Sequence, residues 1–78
     1  MEQLNLITTS ELKSGTVFYF KSKTDLLEIG WSEFENMYFA WLVNNSLRNI
    51  FKFDNLTSLK QKAKELIKQY DLKQTLKP

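Results

Sequence analysis

Seventy-eight residues with neither cysteine nor histidine leave room for one hydrophobic core and exclude disulfides, thiolate nucleophiles and imidazole bases. Zinc, copper and haem sites normally draw on those same two side chains, so no cofactor is expected. The net charge of +2 is unevenly spread: residues 1–46 hold three lysines against six carboxylates, and residues 47–78 eight basic residues against three acids, which predicts two differently charged surfaces.

A domain this small buries only about 60% of the surface its unfolded chain exposes. Eleven aromatic residues, ten of them between Phe18 and Phe53, supply the missing burial, since each can hide roughly 150–250 Å². Met1-Glu2-Gln3 carries an acid where a signal peptide would start basic. The longest apolar run, Met37 to Val43, is far short of the roughly 20 residues that span a bilayer. The expectation is a cytoplasmic protein with no membrane contact. The triplets Asn44-Asn45-Ser46 and Asn55-Leu56-Thr57 match a glycosylation pattern, but without a secretory signal they are read as chance.

In chain order, Leu4, Leu6 and Ile7 suggest a short edge strand or a segment lying against a sheet. Ser10 to Gly15 reads as one helical turn, with Ser10 capping its start and Gly15 taking the left-handed conformation that ends it. Strands are expected at Thr16–Ser22, Leu26–Trp31, Met37–Val43 and Leu47–Phe53, where aromatic and branched residues suit a pleated surface. The connection Ser32 to Asn36 has Phe34 tucking back, and Asn44-Asn45-Ser46 is a tight turn. Leu56, Leu59, Ala63, Leu66, Ile67 and Tyr70 recur at spacings of three and four, which marks an amphipathic helix.

The resulting expectation is a single domain over 1–78 of class α+β. A four-stranded antiparallel meander packs on one C-terminal helix, in the order β-β-β-β-α. Residues 1–12 form an N-terminal arm with a short helical turn to 15, 16–53 the sheet, 56–70 the helix, and 73–78 a frayed tail. Trp31, Phe39, Trp41, Phe51, Phe53, Leu59, Ala63, Leu66 and Ile67 are the expected core.

One helix of this length covers one sheet face and not two. With Phe18, Phe20, Leu27, Ile29, Trp31, Phe39, Trp41, Val43, Phe51 and Phe53 toward the helix, the opposite face carries Val17, Tyr19, Leu26, Tyr38, Ala40, Leu42 and Ile50. Lys21, Glu28, Arg48 and Lys52 are mixed among them. Either the arm folds across that face or a partner covers it. Tyr19, Tyr38, Leu42, Arg48, Ile50 and Lys52 are therefore the candidate contact residues for another protein, or for a second copy in a homodimer. In size and architecture, though not in any motif, the chain resembles proteins of phages and mobile elements that inhibit host defence complexes.

Nucleic acid is the alternative partner. Lys60, Lys64 and Lys68 fall on one helical stripe with Lys62 beside it, and Arg48 and Lys52 lie near Tyr19 and Tyr38. Catalysis is weaker still. Glu33 and Glu35 point to one side of an extended segment, with Asp25 or Glu28 near, yet a carboxylate pair works from a concave pocket that so small a domain hardly has room for. No enzyme activity, no metal and no small-molecule substrate are expected.

Overall fold

In the computed structural model, which describes residues 2–44 and 47–76, the aromatic middle of the chain folds as the expected meander. Strands β1 (Phe18–Lys21), β2 (Asp25–Ser32), β3 (Met37–Asn44) and β4 (Leu47–Phe53) pair antiparallel in sequence order, as short connections favour. Ser22 Oγ closes the first turn by accepting from the backbone N–H groups of Thr24 and Asp25. Asn36 sits in the second with φ 58°, a left-handed conformation that its short polar side chain tolerates. Residues 45 and 46 of the predicted third turn lie outside the described residues. Phe34 does not tuck back; it stands 98% exposed at the tip of the β2–β3 connection.

Helix α3 (Leu56–Tyr70) follows, with Asn55 Oδ1 accepting from the Ser58 N–H to cap its first turn. Its apolar stripe, Leu59, Ala63, Leu66 and Ile67, is fully buried against the sheet. At the other end Asp71 takes a left-handed conformation (φ 53°, ψ 51°) and reverses the chain. Leu72 then plugs into the core at 2% exposure. Residues Lys73–Thr75 form a fifth strand, β5, antiparallel to β1. The sheet therefore has five strands in the order β4-β3-β2-β1-β5, and the tail predicted to fray is pinned from 73 to 75. No glycine announces this reversal, which is why sequence spacing alone ends the fold at the helix.

The N-terminal arm is helical rather than extended. It forms α1 (Glu2–Leu6) and α2 (Thr9–Lys13), and Thr8, not Ser10, caps the second. Thr8 Oγ1 accepts from the Glu11 N–H while Glu11 Oε1 accepts from the Thr8 N–H, a reciprocal box that satisfies two otherwise orphaned donors. Gly15 has the predicted positive φ (104°). The arm packs on the helix side of the sheet: Leu4, Ile7 and Leu12 are buried in one cluster with Phe20, Leu27, Ile29 and the α3 stripe. Lys60 Nζ donates to the Asn5 carbonyl at 3.0 Å and ties α3 to α1.

One strand departs from the expected facing. Tyr38, Ala40 and Leu42 of β3 point to the helix side and are buried, whereas Phe39 and Trp41 are absent from the core. The register fixes this, because Leu42 lies opposite Leu27 and Ala40 opposite Ile29, both core residues, and a one-residue slip would invert the whole strand. Tyr38 keeps its polar tip satisfied there through a 3.0 Å hydrogen bond between its hydroxyl and Thr9 Oγ1. Its ring meets Trp31 edge-on, with centroids 4.8 Å apart.

Candidate binding face

Because α1, α2 and α3 all lie on one side, the other face of the sheet carries no covering element among the described residues. Strand register arranges its side chains in rows. Thr75, Tyr19, Glu28, Trp41 and Ile50 run across all five strands, and Lys73, Lys21, Leu26, Val43 and Arg48 form the next row. A third row sets Gly30 beside Phe39 and Lys52. Phe39, Trp41, Val43, Leu26 and Tyr19 are half-buried, and Ile50 is 56% exposed.

Gly30 gives this face its shape. A Cβ at that position would come within 2.8 Å of Phe39 Cζ, so the missing side chain is what allows the far edge of the Phe39 ring to sit against Gly30. Aromatic rings laid over a strand glycine recover packing that the glycine forfeits. The result is an apolar centre of Phe39, Trp41, Val43, Leu26 and Ile50, bordered by Lys21, Lys73, Arg48 and Lys52. Lys52 forms an ion pair with Glu35 from the β2–β3 turn.

The six residues singled out from sequence divide between the two faces. Tyr19, Arg48, Ile50 and Lys52 lie on the open face, as expected. Tyr38 and Leu42 do not: they are 6% and 2% exposed in the core, for the register reason given above. Phe39, Trp41 and Val43 take their places. Alternation within β3 could not reveal this, since Met37 to Val43 is apolar at nearly every position and its period fits either facing equally well.

The lysine stripe on α3 is also divided. Lys60 is half-buried and bonded to Asn5, and Lys62 Nζ lies 4.7 Å from the Phe51 ring centroid on the sheet's helix side. Lys64 and Lys68 are exposed and border, with Ile67, Asp71, Leu72 and Lys73, a concavity of about 310 Å³ at the end of the helix. Glu33 is exposed and Glu35 is held by Lys52. Among the described residues no three acidic side chains converge as a metal site would require. Among the described residues no helix is long and apolar enough to cross a membrane.

Glu28 is the one carboxylate set within the apolar rows, between Tyr19 and Trp41. Burial by these neighbours raises its pKa above the ordinary glutamate value. A folded-state pKa above the unfolded one means the native state binds the proton more tightly, so the associated stability is present below the unfolded pKa and lost as pH rises through the folded one. Glu28→Gln is therefore expected to match the wild type in acid and to gain on it as pH rises across that window. Urea unfolding at a series of pH values checks this; a constant difference between the two proteins would show that the carboxylate is fully hydrated.

Comparison with known proteins supplies no relative for this face: no family model, no curated protein and no solved structure matches the chain.

Proposed function

We propose that this protein is a non-catalytic binding module that recognises another protein through the open face of its sheet. The observation that carries the reading is Trp41, half-buried at the centre of a face that all three helices leave uncovered. Interface centres favour Trp, Tyr and Arg surrounded by aliphatic side chains that exclude water. Trp41 with Leu26, Val43 and Ile50 meets that description, with Tyr19 and Arg48 at its border. Acting by occupying a surface, such a module needs no chemistry of its own, in keeping with a role as an inhibitor of a larger complex.

Single-stranded nucleic acid is the second reading, favoured by the combination of Tyr19, Phe39 and Trp41 with Lys21, Lys73, Arg48 and Lys52 on one face. Glu28 in the central row opposes it, because a carboxylate there repels phosphate.

The test compares three immobilised proteins in an extract of the source cells: wild type, Trp41→Ser with Ile50→Ser, and Lys64→Glu with Lys68→Glu. A protein retained by the wild type and by the helix variant, but lost by the face variant with circular dichroism unchanged, is the expected result. If all three retain the same proteins, the face is not the recognition surface. Retention of a labelled oligonucleotide pool that disappears with the face variant would establish the second reading instead.

A further inference from the structure

The two edges of the sheet are unlike. β5 is three residues long and carries Lys73, an ordinary way of blunting an edge. β4 is seven residues long, pairs on its inner side with β3 alone, and has no partner on its outer side among the described residues. Leu47, Arg48, Asn49 and Ile50 are all exposed there. An edge strand turns alternate N–H and C=O groups outward, ready to bond another extended chain.

The side chains of that edge limit what the chain can be. Arg48, Ile50 and Lys52 alternate on the open face as cation, apolar residue, cation. A second copy fits poorly: antiparallel pairing centred on Ile50 would set Arg48 of one copy against Lys52 of the other. Like charges directly opposite are destabilising. Among the described residues Arg48 has no carboxylate partner, while Lys52 already pairs with Glu35 and has further donors to offer.

We infer that the β4 edge accepts an extended acidic segment of a partner protein as a sixth strand, with an apolar residue beside Ile50 and a carboxylate two positions to either side of it. Main-chain bonds supply the attachment and alternate side chains the selectivity, as in other strand additions. The added apolar residue continues the row Tyr19, Glu28, Trp41, Ile50, so the inference rests on the protein-binding reading of the open face and specifies how its occupant enters.

The probe is a capped seven-residue peptide with Glu at its second and sixth positions, Val at the fourth and Thr between, titrated into the full ¹⁵N-labelled chain. Amide shifts concentrated in Leu47–Phe53, together with a shift of the Trp41 indole, are expected. The same peptide with Lys for Glu should bind about fivefold more weakly, since two exposed ion pairs are lost and like charges oppose. In Arg48→Glu with Lys52→Glu, two exposed positions whose exchange leaves the core intact, the preference should reverse.

Equal binding of acidic and basic peptides, no saturable binding, or shifts centred on Tyr19 and Leu26 would each overturn the inference. So would a mass near twice 9.3 kDa with β4 amides already protected from exchange. Failure here alongside retention of a protein partner through Trp41 would leave the face reading standing without the edge.

Discussion

Leu42→Ala is expected to lower stability by about 2–5 kcal/mol, whereas Trp41→Ser next to it lowers stability by only roughly 1 kcal/mol and removes binding. The contrast comes from the pleat. Leu42 is 2% exposed between Leu27 on β2 and the apolar stripe of α3, so truncation leaves a cavity that a close-packed core fills only in part. Trp41 points the other way, into solvent on one side, and water reoccupies its place. A chain of this length has a total stability of roughly 4–12 kcal/mol, so Leu42→Ala removes a large share of it. Thermal melts of the two variants measure the difference. Similar melting temperatures, or a larger loss for Trp41→Ser, would mean that β3 faces the other way, and the candidate binding face would be lost with it.

That β3 is the strand needing such a test follows from its composition. In β2, Leu27, Ile29 and Trp31 alternate with Glu28 and Gly30, and in β4 Phe51 and Phe53 alternate with Lys52, so polar residues mark the solvent side and the facing is legible from sequence. β3 holds Met37, Tyr38, Phe39, Ala40, Trp41, Leu42 and Val43 without a charged residue among them, and only register with β2 decides. The small residue at position 40 carries the missing signal in retrospect. Ala40 lies opposite Ile29 and is wholly buried, where a larger side chain would crowd the helix. Helix α3 is legible from a stripe that repeats over four turns, but its cap is not: Ser58 with Gln61 fits a capping box, Asp54 and Asn55 also qualify, and the structure uses Asn55. The fifth strand is not legible either, since its cause is the left-handed Asp71 and the docking of Leu72, both dependent on tertiary context.

Deleting residues 1–15 should abolish cooperative folding, although sequence alone allows the arm to be a detachable cover. Leu4, Ile7 and Leu12 are 1%, 4% and 0% exposed, and at about 1.5–3 kcal/mol each their burial contributes roughly 4.5–9 kcal/mol as an upper bound. That range overlaps the whole expected stability of the domain, so the remaining sheet and helix have little left with which to offset chain entropy. The two tryptophans report which side the arm occupies. Lys13 Nζ lies 4.5 Å from the Trp31 ring centroid and Trp31 packs against the core under the arm, whereas Trp41 lies on the opposite face. A synthetic peptide of residues 1–15, added to the truncated chain, should restore a cooperative melt and shift the fluorescence of Trp31 in a Trp41→Phe background. A peptide carrying Leu12→Asp should do neither, because it would bury an unpaired carboxylate at a position with no exposed surface. A truncated chain that melts within a few degrees of the wild type would show the arm to be dispensable. In the reciprocal Trp31→Phe background, a response from Trp41 where Trp31 gives none would place the arm over the open face and leave no free surface there for a partner.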